Sequence, residues 1–205
     1  MILFSSRTGI YCHRVRLVLA EKGIGAEIVY VDPADPPEDF VEMNPYGNLP
    51  SMVDRDLVLY NSRIIMEYLD ERFPHPPLHP MDPVSKAQAR LVVYRLKQDW
   101  YALLEEIERL GDKKSAKAKK RLRESLVSAV SIFGAKTYFM SDEFSLIDCA
   151  LAPLLWRLPS HGIELSKQTE PVRAYAKRVF GRPSFRESLS EEESDFAGNG
   201  LLLSA

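Results

Sequence analysis

The sequence predicts a small α/β domain followed by an all-helical domain. Before residue 73, short β-branched runs alternate with helix-like segments. After residue 84 the sequence is helical in character, and one stripe of apolar side chains recurs at the three- and four-residue spacing that is typical of helices. Between these parts, five of the fourteen prolines fall within residues 74–83, a density that no regular element tolerates. We therefore expect the α/β domain at 1–76, a proline-rich linker at 77–84 and the helical domain at 85–205.

The first domain begins with a β-α-β unit. Residues 2–4 and 26–31 are predicted strands, and the helix between them is expected to stop at Gly23, since glycine favours the conformation that ends helices. A crossover of this kind makes the two strands parallel. The remaining expected elements are a helix at 38–43, strands at 51–54 and 57–60, and a helix at 62–72. This β-α-β-α-β-β-α order is typical of a thioredoxin-like domain.

The helical domain shows one apolar stripe and one strong helix start. The stripe consists of Leu96, Trp100, Leu103, Ile107 and Leu110. Ser145 and Asp148 have the spacing of a capping box before an apolar helix at 146–158. Asp148 is therefore interpreted as a folding determinant and not as a catalytic acid. Another helix is expected at 171–180, and an acidic tail begins at Glu187.

The composition is that of an ordinary soluble globular protein. The 205 residues are 45% hydrophobic and 27% charged, and the net charge of −2 gives no global reason to expect nucleic-acid binding. The chain has two cysteines, Cys12 and Cys149, and no apolar run approaches the ~20 residues that a membrane helix needs. We expect a cytoplasmic protein without a membrane segment. Its cysteines and histidines are too few for a metal site.

Seven lysines and arginines lie between Asp112 and Arg123, and this basic run has two interpretations. Its positive charge is suited to nucleic acid. However, it lacks interleaved aromatic residues, and three glutamates lie just upstream of it. A solvated helix end or interhelical loop is therefore favoured, and direct nucleic-acid binding is not expected.

The turn Gly9-Ile10-Tyr11-Cys12 has the layout of a redox site in which a strand delivers a reactive cysteine to a helix N-terminus. The position of the nucleophile holds Gly9, which has no side chain. Only the second cysteine position is filled, by Cys12. No catalytic residue is therefore assigned.

Leu49-Pro50 and Asn61-Ser62 are the other candidates for ligand contacts in this domain. In this topology a cis-proline exposes the backbone N–H and C=O of the preceding residue to a peptide-like ligand, so we expect Pro50 to be cis. Ser62 opens a helix, where its hydroxyl and the backbone N–H groups could hold a carboxylate. The simpler interpretation is that Ser62, or Asn61 before it, caps the helix.

The run Phe73-Pro74-His75-Pro76-Pro77 is different in kind, because it offers apolar rings and an imidazole on extended, low-entropy backbone. It is either a surface that another protein binds or an interdomain linker that is rigid for packing reasons. Residue chemistry alone favours the linker.

Several strings of the sequence carry a family resemblance. Residues 10–24, Asn44-Pro45-x-Gly47-x-x-Pro50 and residues 61–65 resemble the glutathione transferase fold. The more specific strings at 62–78, 97–101 and 141–149 resemble the stringent starvation protein A family, whose members have that fold. The resemblance extends over nearly the whole chain.

The resemblance implies a glutathione transferase-like architecture and a bacterial transcription regulator that is not an enzyme. In that family a homodimer acts on RNA polymerase holoenzyme carrying the housekeeping sigma factor, and supports acid tolerance and stationary-phase survival. The family's Pro-His-Pro surface maps onto Pro74, His75 and Pro76. The resemblance thus makes the run from Phe73 to Pro77 the expected partner-binding site instead of a plain linker.

One departure concerns glutathione. Glutathione transferases commonly have Glu or Gln before the serine that holds the γ-glutamyl carboxylate, whereas this chain has the shorter Asn61. Leu49, Pro50, Asn61 and Ser62 are therefore expected to be a vestigial glutathione site, and no cofactor is expected. The alternative function is a glutathione transferase, or a glutathione-dependent reductase using Cys12. A transferase would have to activate the thiolate through Ser5, Ser6 or Tyr11, with no base or cation evident beside them.

Overall fold

The computed structural model describes residues 1–32, 34–111, 113–165 and 167–196. Its contacts group the chain into two compact units. The N-terminal unit is Met1–Pro77 with Pro183–Asp195, and the helical unit is Leu78–Arg182 with Phe196. The domain limits expected from the sequence stay a prediction. The grouping differs from them mainly in placing residues 183–195 in the N-terminal unit.

A four-stranded sheet in the order β2-β1-β3-β4 forms the centre of the N-terminal unit. Its strands are β1 (Ile2–Ser5), β2 (Glu27–Tyr30), β3 (Ser51–Asp54) and β4 (Leu57–Tyr60). β1 pairs in parallel with β2, with Ile2 opposite Glu27, and antiparallel with β3, with Ile2 opposite Val53. The predicted α/β domain with a parallel first pair of strands is confirmed.

The helices that connect and follow these strands also fit the sequence pattern. They are α1 (Ile10–Glu21), α2 (Glu38–Met43) and α3 (Ser62–Arg72). α1 packs against α3 and is buried along most of its length. It ends before Gly23, whose φ of +61° is a conformation that glycine adopts without the steric cost of a Cβ atom. The predicted glycine stop is confirmed.

The helical unit contains a wide turn that the sequence did not indicate. Its helices are α4 (Pro83–Leu96), α5 (Ala102–Leu110), α6 (Ala116–Ser128), α7 (Val130–Ala135), α8 (Leu146–Arg157) and α9 (Glu170–Phe180). A π-helical turn at Lys97–Tyr101 joins α4 to α5. The predicted apolar stripe is buried through this turn at Leu96, Trp100, Leu103 and Ile107. Apolar spacing alone does not distinguish a π turn from an α-helical one.

The basic run enters α6. Its charged side chains are mostly exposed, while Ala118, Leu122 and Leu126 form the buried face of the helix. The structure therefore shows the solvated helix that was favoured from the sequence. Within the described residues, no helix is both long and apolar enough to span a membrane. In the same residues, no group of three or more His, Cys, Asp and Glu is arranged to hold a metal ion.

Two short helices, α10 (Pro183–Glu187) and α11 (Glu191–Ser194), belong to the N-terminal unit. α10 packs against α1, and the buried Phe185 ring lies 5.3 Å from the His13 ring. Glu193 is also buried and closes a capping box with Ser190. The sequence indicated only an acidic tail here, because Arg16, which anchors this segment at Ser188, lies 172 positions earlier.

Candidate functional site

The turn between β1 and α1 has no room for a side chain at position 9 unless Ser6 moves. Gly9 is the N-cap residue of α1 and contributes no side-chain hydrogen bond. A Cβ atom built on Gly9 would lie 2.3 Å from the Ser6 Oγ and 3.4 Å from the Cys12 Sγ. The Ser6 hydroxyl therefore fills the space in which a nucleophilic side chain would begin.

Cys12 is a buried thiol. The residue is 1% exposed, and its Sγ accepts a hydrogen bond from the Ser6 backbone N–H at 3.2 Å. Burial raises the pKa of the Cys12 thiol, and this effect exceeds the opposing effects of its hydrogen bonds and of the Arg16 charge. Because the thiolate is the reactive form, Cys12 is a packing residue at the helix start and a poor nucleophile.

Ser5 is held by the cation Arg16, which no local pattern of the sequence links to it. Its buried hydroxyl donates to the Ser6 carbonyl oxygen at 3.0 Å and accepts from the Arg16 Nη1 at 2.6 Å. The expectation that no cation lies beside these serines is therefore wrong. However, Arg16 is also paired with the carboxylate of Glu193, so its charge is already balanced inside the protein.

Both residue pairs of the expected glutathione site lie at one end of the sheet, because Ser51 pairs with Tyr60. The Leu49–Pro50 peptide bond is cis, as predicted. Whether Leu49, Pro50, Asn61 and Ser62 contact glutathione stays a prediction.

The Asn61-Ser62 pair is engaged within the protein. Asn61 caps α3, since its Oδ1 accepts from the Arg63 backbone N–H at 3.1 Å. Ser62 is buried, and its Oγ accepts from the Arg14 Nε at 2.8 Å and also from the Arg14 Nη2. Sequence reasoning missed Arg14 because 48 positions separate it from Ser62. The hydroxyl that would hold a γ-glutamyl carboxylate is thus already an acceptor for an internal guanidinium group.

The Phe73–Pro77 segment follows α3 directly. The Phe73 N–H donates to the Leu69 carbonyl oxygen at 3.0 Å, and the Arg72 guanidinium lies 5.6 Å from the centre of the Phe73 ring. Phe73 is half-buried, and the exposed residues of the segment are Pro74, His75, Pro76 and Pro77. The His75–Pro76 peptide bond is cis. Three prolines and one histidine are therefore exposed on a single short segment.

Lys22 ties this segment to the rest of the N-terminal unit. Its side chain is fully buried and pairs with the Asp70 Oδ1 at 2.8 Å. The Lys22 Nζ also donates to the carbonyl oxygens of Phe73 at 2.6 Å and Pro76 at 2.7 Å. Lys22 could not be singled out from the sequence, because a lysine at the end of a helix is common and no local spacing links it to the segment.

The two candidate sites differ in what they can do chemically. The Ser5–Cys12 turn has hydroxyl and thiol groups that are buried or engaged, and the Phe73–Pro77 segment offers rings and an imidazole for contact. Rings on a fixed backbone give contact area at low entropic cost, which is suited to binding and not to bond-making. The role of Phe73, Pro74, His75, Pro76 and Pro77 as a partner-binding site stays a prediction.

Comparison with known proteins shows which family the chain belongs to. Residues 3–77 match the family model described as "Glutathione S-transferase, N-terminal domain", and residues 88–183 match "Glutathione S-transferase, C-terminal domain". The "Stringent starvation protein A homolog" of Pasteurella multocida (strain Pm70) is 55% identical over 190 residues, which cover 92% of this chain and 90% of that protein. The chain belongs to the stringent starvation protein A family.

A second relative agrees with this assignment, and a solved structure shows the fold. The stringent starvation protein A homolog of Coxiella burnetii is 48% identical over 196 residues, 95% of this chain and 94% of that protein. Glutathione transferase Omega 3C from Trametes versicolor superposes with a TM-score of 0.81 and 27% identity over 93% of this chain and 84% of that chain. This member of the stringent starvation protein A family therefore has the glutathione transferase fold, consistent with a transferase-like stress regulator. The fold by itself leaves catalytic activity open.

Proposed function

We propose that this chain is a non-catalytic transcription regulator of the bacterial cytoplasm. As a homodimer it binds RNA polymerase holoenzyme carrying the housekeeping sigma factor, during starvation, stationary phase and acid stress. The Phe73–Pro77 segment makes the contact. The observation that carries this proposal is the exposure of the Pro-His-Pro residues on a backbone that Lys22 holds at two carbonyl oxygens.

The state of the β1–α1 turn supports a non-catalytic role. Gly9 supplies no nucleophile, the hydroxyl of Ser5 is bound to Arg16, and burial raises the pKa of the Cys12 thiol. An activated nucleophile needs a lowered pKa or an adjacent base, and this turn supplies neither to Cys12.

The homodimer is part of the same proposal, and α4 offers a surface for it. Val84, Leu91 and Tyr94 lie on α4 and are 68%, 57% and 50% exposed. Burying these side chains against a second copy removes apolar area from water. Sedimentation equilibrium tests this: we expect the wild type to be a dimer and Leu91→Glu to be a monomer. A monomeric wild type would contradict the homodimer.

Size-exclusion chromatography with purified RNA polymerase holoenzyme tests the role of the segment. We expect the wild type to co-elute with the holoenzyme. The double variant His75→Ala/Pro76→Ala removes an imidazole and a proline ring from exposed positions. It should keep its melting temperature while its co-elution weakens.

A control for the loss of an imidazole and a proline ring is available at half-buried positions of the helical unit. Pro159→Ala/His161→Ala removes the same two kinds of group there and should bind like the wild type. Undiminished binding by the folded His75→Ala/Pro76→Ala variant would refute the role given to the Phe73–Pro77 segment.

A glutathione transferase or glutathione-dependent reductase is the second candidate function. It is favoured by the Leu49-Pro50 loop, which leads into β3, and by the position of Ser62 at the N-terminus of α3. Calorimetric titration with glutathione, followed by an assay with an electrophilic acceptor, separates the two functions. We expect neither tight binding nor turnover. Tight binding, with turnover that is lost in Ser5→Ala, Ser6→Ala or Cys12→Ala, would establish the enzyme instead.

A further inference from the structure

We propose that Lys22 is the positioning residue of the partner-binding segment. Its ammonium group fixes the backbone from Phe73 to Pro76, so that a partner with an apolar cleft meets a preformed ridge of proline rings and the His75 imidazole. This inference rests on the proposed function of the Phe73–Pro77 segment. It adds a residue outside the segment, 54 positions before Pro76, on which partner binding depends.

The prolines make the segment depend on donors from elsewhere. Proline has no backbone N–H, so Pro74, Pro76 and Pro77 cannot donate a backbone hydrogen bond to any neighbour. The backbone at these positions can be held only through its carbonyl oxygens. Lys22 donates to two carbonyl oxygens, one just before the Pro-His-Pro sequence and one at its last residue. One side chain therefore fixes both ends of that sequence.

The donors of the Lys22 ammonium group are matched by acceptors in the folded protein. An ammonium group has three N–H donors, and this one has three acceptors: the Phe73 and Pro76 carbonyl oxygens and the Asp70 Oδ1. The Lys22 side chain is 0% exposed and that of Asp70 is 8% exposed. Movement of the segment away from Lys22 would break two hydrogen bonds from a charged donor, which are stronger than bonds between neutral groups.

The same contacts define what a partner recognises. The carbonyl oxygens of Phe73 and Pro76 are bound by Lys22, and the exposed rings and the His75 imidazole are available for contact. Rings fixed before binding lose little entropy in a complex. If the segment adopted other geometries, the apparent Kd would rise in inverse proportion to the fraction of competent molecules. An apolar cleft that packs against proline rings is the kind of partner site that fits.

Two variants separate positioning from stability: one removes only the carboxylate of the Lys22–Asp70 pair, and the other removes both charges. In Asp70→Asn, Lys22 keeps both carbonyl acceptors and gains an amide oxygen in place of the carboxylate. In Lys22→Met/Asp70→Asn, both buried charges are gone and an unbranched apolar side chain takes the place of the lysine. Each variant is compared with the wild type in three measurements: melting temperature, the His75 imidazole cross-peak in a ¹H–¹³C NMR spectrum, and affinity for RNA polymerase holoenzyme.

The expected result is a separation of affinity from stability. Asp70→Asn should bind the holoenzyme nearly as well as the wild type, with its His75 cross-peak in place. Lys22→Met/Asp70→Asn should bind about tenfold more weakly, with a displaced His75 cross-peak, because fewer molecules hold the competent geometry. Lys117→Met, at an exposed position of α6, controls for the loss of a lysine and should change neither the His75 cross-peak nor the affinity for the holoenzyme.

Several outcomes would overturn the positioning role. The first two are an unchanged His75 cross-peak and an unchanged affinity for the holoenzyme in the folded double variant. The third is a loss of affinity that is proportional to the loss of melting temperature in both Asp70→Asn and Lys22→Met/Asp70→Asn. If Lys22→Met/Asp70→Asn does not fold, Lys22→Arg is measured by the same criteria. Lys22→Arg keeps a cation beside Asp70 but replaces the three directions of the ammonium group with a planar fork.

Failure of this inference is distinguishable from failure of the proposed function. If His75→Ala/Pro76→Ala loses holoenzyme binding and the Lys22 variant retains it, only the positioning role fails. If both variants retain binding, the segment is not the binding site and the proposed function fails with it.

Discussion

Arg16 binds Glu193 within the N-terminal unit, although 177 positions separate them along the chain. Their side chains are 2% and 0% exposed. The Arg16 Nε also donates to the Ser188 carbonyl oxygen at 2.9 Å, and the His13 Nε2 lies at hydrogen-bond distance, 3.1 Å, from the Ser188 Oγ. Since the same guanidinium binds Ser5, one buried cluster joins the β1–α1 turn to the segment that carries α10 and α11.

We expect Glu193→Gln to lower the free energy of unfolding by about 3–5 kcal/mol, because the buried charge of Arg16 loses its partner. Urea denaturation followed by circular dichroism measures this change. Glu191→Gln lies at an exposed position of the same helix and is the matched control, with an expected change of about 0.5 kcal/mol or less. Equal losses in the two variants would show that the Arg16–Glu193 pair does not anchor this segment.

Elements set by local pattern were predictable from the sequence. The strands Ser51–Asp54 and Leu57–Tyr60 lie where alternation and the turn at Arg55 placed them. The capping box of Ser145 and Asp148 is equally local, because both partners lie within one helical turn. In each case the residues that form the feature are neighbours in sequence, so the pattern contains the whole interaction.

The polar contacts that shape the candidate site could not be predicted in this way. Arg14 reaches Ser62, Arg16 reaches Glu193 and Lys22 reaches Pro76 over 48 or more positions. No periodicity or spacing rule pairs such residues, since their proximity is a product of the tertiary fold. The Phe73–Pro77 segment was marked by its composition and by family resemblance, but its support from Lys22 exists only in three dimensions.

Gly9→Ala should destabilise the protein by about 1 kcal/mol, because the new Cβ atom overlaps the Ser6 Oγ and forces the Ser6 side chain to turn away. Ser6→Ala removes that oxygen, so we expect the double variant Ser6→Ala/Gly9→Ala to regain most of the loss. Thermal or urea unfolding of the two single variants and the double variant gives the coupling energy. Additive effects would mean that Ser6 does not limit the space at position 9.

Gly134→Ala is the control for the Gly9 substitution. Gly134 lies in α7, and a Cβ atom there meets only Pro171 side-chain carbons, the nearer at 3.5 Å, which is ordinary contact. Alanine favours helix over glycine by up to ~1 kcal/mol, so this variant should be stabilised. The two glycine substitutions are thus expected to have opposite signs.

Asp148→Ala should lower the free energy of unfolding by about 3 kcal/mol or more, because buried donors lose their acceptor. The Asp148 Oδ1 accepts from the Phe139 N–H at 2.9 Å and the Tyr175 hydroxyl at 2.6 Å. The Oδ2 accepts from the Ser145 N–H at 2.8 Å and the Ser145 Oγ at 2.9 Å. Urea denaturation measures the loss. Asp82→Ala, which removes the exposed cap of α4, should cost clearly less, and an equal cost would contradict the role of Asp148 as a buried hub.

The titration of Asp148 predicts a pH dependence of stability with a definite sign. Burial raises the pKa of the Asp148 carboxyl above its ordinary value of 3.8, and this effect exceeds that of the hydrogen bonds. The folded protein therefore keeps the Asp148 proton at pH values where the unfolded chain has released it. The stability that this group contributes is fully present below its unfolded pKa and is lost as the pH rises through the raised folded pKa.

Asp148→Asn cannot titrate at this position. We expect the stability difference between the wild type and Asp148→Asn, measured by urea denaturation from about pH 4 to about pH 7, to shrink as the pH rises. A difference that widens over this range would mean that the hydrogen bonds outweigh burial and lower the pKa of this carboxyl in the folded protein.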